Sequence, residues 1–316
     1  MAYVIPRGAK RVLIALLLAV VGYHIFATAA CVVAIAFPNI FKRYTRYSAG
    51  LVKQMPHEGV VFASRRGCSL AGWFFRRQDS AAVVLLCHGR SSNKTHELPY
   101  VRAFADYCNV FVFDFAGHGD NPYAATSIGY NEAADVLGAL DWLGGMGITQ
   151  AVVLGHSMGG SAALRAVSEY TGPVQIKAVI TEGAFADLGE LLRSRTGDML
   201  LPPTVWWPAF RIAERIAGYR ISDNVPERFI RSVTCPVLVM QADKDWLAPS
   251  DSARRLAGNA GGPVEVVAFK GRHDQPCDEV SSNALRFVTT HMPPASGGTQ
   301  PLGTDGMKSR TSKTLL

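Results

Sequence analysis

The sequence predicts an α/β fold, with a mostly parallel central sheet and helices on both faces. Three observations support this prediction. Short apolar runs alternate with helix-forming segments through the chain, the motif Gly-x-Ser-x-Gly follows one of these runs at 155–159, and a long apolar stretch precedes them all. Strands that alternate with helices are joined by right-handed crossovers, so their sheet is mainly parallel.

The predicted elements follow in a regular order. An opening β-hairpin is predicted over 58–64 and 69–76, joined through Arg66-Gly67. Further strands are predicted at 82–87, 109–114, 151–154, 177–181, 236–241 and 264–269, and helices at 97–106, 127–143, 160–167 and 284–288. The segment 187–233 interrupts this alternation, and an insertion at this point is typical of a lid over a pocket.

Ser157 is the candidate nucleophile. It stands between the apolar strand 151–154 and a segment rich in small, helix-forming residues. A sharp strand-to-helix turn there would expose its hydroxyl, and Gly155 and Gly159 leave room where the turn packs backbone against backbone. Because a serine hydroxyl is a poor nucleophile at neutral pH, it needs a base, and the base needs an orienting carboxylate.

His273 is the candidate base. In hydrolases with this motif the chain order is serine, then acid, then histidine, and only His273 and His291 follow Ser157. His273 comes just after the strand 264–269, at the carboxyl edge where open α/β sheets place their chemistry. His291 ends an amphipathic segment, which suits the last turn of a helix.

The candidate acid lies after the strand 236–241. Asp243, Asp245 and Asp251 are available, but Asp251 suits a helix N-terminus. In hydrolases with the Gly-x-Ser-x-Gly motif, the acid often begins a turn of the pattern D-x-x-V-P. Asp245, followed by Trp-Leu-Ala-Pro, matches this pattern better than Asp243 does. Asp243 would then cap the loop.

Two backbone amides are expected to form the oxyanion hole. One is that of Met158, directly after the nucleophile, and the other is that of Arg90, after the strand 82–87 and the pair His88-Gly89. We expect the Arg90 guanidinium to lie in solvent, with an acidic substrate group as its alternative partner.

A series of motifs occurs in order along the chain: His88-Gly89, Asp114-Phe-Ala-Gly-His-Gly-Asp120, Gly155-His-Ser-Met-Gly-Gly160, Glu182-Gly-Ala-Phe-Ala-Asp187 and Cys235-Pro-Val-Leu238. This series resembles the membrane-anchored α/β-hydrolase-domain serine hydrolases over roughly 58–291. The resemblance implies the α/β-hydrolase fold and activity on acyl esters, thioesters or lysophospholipids. The chain departs from the family at Ala242, where glycine is usual, and this leaves the choice between Asp243 and Asp245 open.

Four further side chains are candidates for the substrate pocket: His88, His118, Trp206 and Trp207. In the lid segment, Trp206 and Trp207 suit an acyl channel or a membrane interface, and packing into the core is an equal alternative. His118 lies in a loop where a histidine more often fixes a turn.

The apolar stretch 11–37 predicts a single transmembrane anchor. It carries no charge after Arg11 and reaches roughly 39 Å as a helix, enough to cross a ~30 Å hydrocarbon core. The alternatives are a cleaved signal peptide ending at Ala27-Thr-Ala29 and a weak lipobox at 28–31. We prefer a retained anchor because apolar sequence continues past both points. Basic residues flank both ends, so orientation stays open.

The net charge of +7 does not indicate nucleic-acid binding. Residues 1–57 contain seven Lys or Arg and no acid, whereas 58–291 contain 22 basic and 24 acidic residues. The excess charge therefore suits anionic lipid around a basic N-terminus (1–10), a juxtamembrane linker (38–57) and a tail predicted to be disordered (292–316). The six cysteines form no C-x-x-C pair, and we expect neither metal nor cofactor.

These observations predict a membrane-anchored serine hydrolase that cleaves esters or thioesters of lipid or acylated substrates, with no indication of its oligomeric state. Two alternatives stay open. One is a serine peptidase on the same fold, and the other is a non-enzymatic, membrane-tethered binding protein.

Overall fold

The central feature of the structure, a computed structural model, is one eight-stranded sheet in the order β1-β2-β4-β3-β5-β6-β7-β8. Residues 6–37, 55–77, 80–121, 124–198, 201–273 and 277–293 are described. The strands are Glu58–Ala63 (β1), Ser69–Phe75 (β2), Ala82–Cys87 (β3), Asn109–Phe113 (β4), Gln150–His156 (β5), Gln175–Glu182 (β6), Val237–Lys244 (β7) and Val264–Arg272 (β8). The predicted strands and fold class are confirmed.

The sheet is parallel except at one edge. The strand β2 runs antiparallel to both of its neighbours, β1 and β4, whereas β3 to β8 pair in parallel. Helices cover both faces, so the central strands are apolar on each side: Val83 and Leu85 of β3 join one core cluster, and Val84 and Leu86 join the other. Because β3 to β8 run in the same direction, their carboxyl ends lie along one edge of the sheet.

The helices are Arg7–Ala36 (α1), Leu98–Phe104 (α2), Ala133–Gly145 (α3), Met158–Glu169 (α4), Leu188–Asp198 (α5), Pro203–Ala217 (α6), Pro226–Phe229 (α7), Ser252–Gly258 (α8) and Asp278–His291 (α9). His291 ends α9 as predicted, and the insertion 187–233 supplies α5, α6 and α7. The tail from 294 onward and most of the linker lie outside the described residues.

One predicted helix begins later than expected. The pattern predicts a helix from 127, but α3 begins at Ala133. The buried carboxylate of Glu132 accepts hydrogen bonds from the Ser127 hydroxyl and from the amides of Ser127 and Gly129. These bonds hold 127–132 as a loop, because the carboxylate satisfies backbone groups that a helix would otherwise pair.

The helix α6 presents two different faces. Proline at its first position favours the helical start, and Gly218 in the left-handed conformation ends it. Val205, Ala209 and Ala213 are buried. Trp206 is half-buried with its ring centroid 5.5 Å from that of Phe210, whereas Trp207 is 59% exposed.

The N-terminal helix α1 begins at Arg7 rather than at the predicted boundary of 11. Among the described residues it is the one helix that is long and apolar enough to cross a membrane. Its first half is exposed, and its second half packs against α6. His24 Nε2 lies 3.1 Å from Thr204 Oγ1, and the Thr28 hydroxyl donates to the Val205 carbonyl. The second half of α1 is therefore part of the folded domain.

The motif glycines are required by close backbone packing. A Cβ on Gly159 would clash with the Cys87 carbonyl of β3, and one on Gly155 would clash with the Gly159 carbonyl. Because these obstacles are backbone atoms, the turn itself would have to move.

We expect Gly159→Ala to lower the free energy of unfolding by about 1–3 kcal/mol, since overpacking at a tight contact costs that much. Thermal unfolding in detergent micelles checks this. Gly145→Ala is the matched control, because a Cβ on Gly145 meets no atom within 4 Å. Equal stability of the two variants would contradict the packing argument.

Candidate active site

Ser157 lies on a strained turn between β5 and α4. Its φ of 47° and ψ of −111° are rare for a residue with a side chain. The Ser157 amide donates to the Glu182 carbonyl of β6 at 2.8 Å, and the side chain is only partly buried. The turn is thus fixed by its neighbour strand, and Ser157 lies at the edge of the sheet where the parallel strands end.

Asp245 and His273 form a hydrogen-bonded pair. The Asp245 Oδ2 atom lies 2.8 Å from His273 Nδ1, and the two side chains are 3% and 7% exposed. This uses one ring nitrogen and leaves Nε2 to face another group. With Nδ1–H donating to the carboxylate, Nε2 carries a lone pair and can accept a proton.

The Asp245 carboxylate is held on all sides. Its Oδ1 accepts from the amides of Leu247 and Ala248 at 2.9 Å each, and its Oδ2 accepts from Gln241 Nε2 at 2.7 Å. Sequence reasoning missed Gln241, because its only signal is its place within β7, four residues before Asp245. Asp243 instead accepts the Gly271 amide at 2.9 Å and fixes the end of β8.

The end of β6 brings the serine and the histidine to the same place. Glu182 binds the Ser157 amide, and the next residue, Gly183, has a φ of +60°. A Cβ on Gly183 would lie 3.0 Å from His273 Cε1 and 3.3 Å from Asp245 Oδ2. The His273 imidazole thus packs against Gly183, the residue next to Glu182, whose carbonyl binds the Ser157 amide. In the described part of the chain, no hydrogen bond joins Ser157 to His273.

The Arg90 guanidinium is not in solvent, contrary to expectation. Its Nη2 donates to the carbonyls of Ala34 and Ile35 at the end of α1, at 3.0 Å for Ile35. The reason is that a helix leaves its last carbonyls without partners, and a cation is favoured at that end of the helix dipole. Arg90 follows β3 by three residues, and β3 ends at Cys87, which pairs with Gly155 of β5 and lies against Gly159 of α4.

His88 and His118 are fully buried, which favours a structural role over contact with substrate. The Phe115 amide donates to His88 Nε2 at 3.1 Å, so Nδ1–H donates to the Gly89 carbonyl at 2.7 Å. Burial lowers the pKa of His88 from 6.5 to about 4, and that of His118 falls to about 4 through burial and the nearby His88. Both rings are therefore neutral at pH 7.

A buried ionic cluster that sequence reasoning missed lies beneath the turn. His156, the residue before the serine, has Nε2 2.6 Å from Glu182 Oε2 and Nδ1 3.0 Å from Glu97 Oε2. Burial alone would lower the pKa of His156, but the two carboxylates outweigh it and raise the pKa well above 6.5. The Tyr100 hydroxyl also donates to Glu182. The only sequence signal of this ionic cluster is the histidine inside the Gly-x-Ser-x-Gly motif.

A serine on a strand-to-helix turn and an Asp–His pair at the same edge of this sheet define the class of α/β hydrolases. The model of the alpha/beta hydrolase family matches residues 84–283. The chain belongs to that family.

Several individual proteins are similar to this chain. The uncharacterized protein YqkD of Bacillus subtilis is 27% identical over 229 residues, which cover 70% of this chain and 74% of YqkD. The lysophosphatidylserine lipase ABHD12 of Danio rerio is 25% identical over 198 residues, which cover 59% of this chain and 49% of the lipase. An esterase structure from Pyrococcus furiosus has the same fold, with a TM-score of 0.64, 20% identity, and coverage of 79% of this chain and 95% of the esterase.

We expect the neutral state of His88 to make the fold acid-sensitive. Between pH 4 and 6.5 the unfolded chain binds a proton at this residue and the folded chain does not, so stability falls as the pH falls. The loss is about 1.4 kcal/mol per pH unit.

His88→Gln keeps a donor and an acceptor but cannot titrate. The slope of unfolding free energy against pH, measured by chemical unfolding in micelles from pH 4 to 6.5, should be smaller by about that amount in the variant. An unchanged slope would show that His88 is not buried in its neutral form.

Proposed function

We propose that this protein is a serine hydrolase that cleaves ester or thioester bonds of lipid or acylated substrates at a membrane. The observation that supports this most is the Asp245–His273 pair beside the Ser157 turn. Nucleophile, base and acid come from three separate loops at one edge of the sheet. Such convergence of groups is what acyl transfer through a covalent intermediate requires.

In the proposed reaction, His273 Nε2 accepts the Ser157 proton as the hydroxyl oxygen attacks the substrate carbonyl. Asp245 holds the ring in the correct tautomer and stabilises the imidazolium that forms. The Met158 and Arg90 amides bind the oxyanion, each contributing roughly 3 kcal/mol to transition-state stabilisation. His273 then protonates the leaving alcohol or thiol. Water attacks the acyl-enzyme with His273 again as base, and the bond from the acyl group to Ser157 breaks as His273 returns this proton to the serine oxygen.

The position of α6 supports a lipid substrate. The apolar run begins at Val12, and about 20 residues are needed to span a ~30 Å hydrocarbon core. That places the end of the span near Cys31, whereas α6 already contacts α1 at His24. The first turn of α6 therefore reaches the depth of the lipid headgroups or acyl chains, where the exposed Trp207 is well suited.

The relatives point in the same direction. One is named a lysophosphatidylserine lipase, and one structure with this fold is an esterase. A single membrane anchor at the N-terminus, formed by α1 from Val12 to near Cys31, completes the proposal. A serine peptidase would use the same three groups, and a binding protein would need none of them.

A fluorophosphonate probe tests the enzyme class. It reacts with an activated serine, so it should label the wild-type chain and not Ser157→Ala. Ser168→Ala, on the same helix α4, is the matched control and should label normally, because Ser168 only donates to the Arg165 carbonyl. Loss of labelling in the control alone, or persistent labelling of Ser157→Ala, would refute Ser157 as nucleophile.

The same preparations test the substrate class. Hydrolysis of long-chain lysophospholipids should exceed that of short, water-soluble esters in kcat/KM, because the first turn of α6 lies at lipid depth. Equal rates on both would count against a lipid substrate, and cleavage of peptide bonds alone would favour the peptidase.

Two aspartate variants test the acid. Asp245→Asn should lower kcat by about 10⁴-fold, since the amide favours the wrong histidine tautomer. Asp243→Asn keeps an acceptor for the Gly271 amide and should stay within tenfold of wild type. Steady-state kinetics on one ester decides this, and the reverse ranking would assign the acid to Asp243.

A further inference from the structure

The last carbonyls of α1 are bound by loops of the active site. The final hydrogen bond of the helix runs from the Phe37 amide to the Val33 carbonyl at 2.9 Å. The three carbonyls after Val33 have no partner within the helix. Arg90 takes those of Ala34 and Ile35, and the Thr126 amide donates to that of Ala36 at 2.9 Å.

Both binding groups are connected to the proposed oxyanion donors. Arg90 carries one donor in its own backbone. The Thr126 hydroxyl lies 3.5 Å from the sulfur of Met158, whose backbone is the second donor. The end of α1 therefore contacts the two loops that meet at the proposed oxyanion hole.

These two loops need support from outside. Ser91, next to Arg90, has a φ of 61°, and Ile128, two residues after Thr126, has a φ of 56°. Side chains rarely adopt this conformation, and it persists only where the surroundings impose it. The Glu132 carboxylate holds the second loop, whereas the Arg90 loop is held by His88 on one side and by α1 on the other.

The guanidinium suits this role because of its geometry and charge. It presents several donors in one plane, so a single side chain binds two neighbouring carbonyls. Its positive charge meets the negative end of the α1 dipole. A lysine would offer a point charge at one carbonyl, and a glutamine would offer no charge.

We propose that Arg90 is a positioning residue, which fixes the oxyanion loop to the end of α1, so that the anchor helix is part of the active-site scaffold. This inference rests on the proposed serine hydrolase function. Without the guanidinium, the Arg90 amide moves away from the position that the oxyanion occupies. Since that charge exists only in the transition state, kcat falls while KM changes little.

The test uses the full chain in detergent micelles with a short, water-soluble ester. Glutamine and lysine at this position keep the backbone amide, so any loss reflects its placement and not its removal. Arg90→Gln should lower kcat by roughly 10–100-fold, part of the cost of a lost oxyanion donor, with KM within twofold of wild type. Arg90→Lys should recover part of the loss, because the ammonium still reaches one carbonyl.

Arg231→Gln is the matched control. Arg231 binds the Asn259 side chain away from α1, so its loss should leave kcat within twofold. Thermal unfolding is measured for each variant. The proposal is overturned if Arg90→Gln keeps the wild-type kcat, if KM rises in place of a fall in kcat, or if both Arg90 variants fail to fold. Failure of the wild type to cleave any ester would instead refute the proposed function.

Discussion

The geometry of the site depends on the strained turn at Ser157. A residue with a side chain at a φ of 47° is held there by its surroundings, which here are backbone atoms. Gly155 and Gly159 let α4 approach the carboxyl ends of β3 and β5 without a Cβ between them. The Glu182 carbonyl then binds the Ser157 amide. Each element adjoining the turn thus has a part in aiming one hydroxyl.

The charged groups beneath the turn give the same region its rigidity. His156 lies between Glu97 and Glu182, with all three side chains buried. Burying three ionisable groups is costly, and removing one partner would leave the others unpaired, at a cost of about 3–5 kcal/mol. Glu182 has two roles at once, because its carboxylate binds His156 while its carbonyl binds Ser157. The arrangement therefore resists small displacements of Ser157.

The sequence predicted the strands well because burial on both faces makes them short apolar runs, such as Val83 to Leu86. It placed His273 and Asp245 on the two loops that the structure brings together, since carboxyl ends of parallel strands share one edge. It could not predict contacts set by tertiary structure. The predicted start of α3 was wrong because the Glu132 carboxylate binds the backbone of the preceding residues. The predicted solvent exposure of the Arg90 guanidinium was wrong because its partner, the end of α1, is more than 50 residues away in the sequence.

The histidines at this edge show how surroundings assign chemical roles to one residue type. His88 has both nitrogens engaged, one as donor and one as acceptor, so a second proton would face the Phe115 N–H. His156 has a carboxylate at each nitrogen and is best satisfied as a cation. Among the residues that the structure describes, His273 has a carboxylate at Nδ1 alone. That asymmetry is what a general base requires, because Asp245 fixes the proton at Nδ1 and leaves the lone pair of Nε2 for exchange with a substrate or nucleophile.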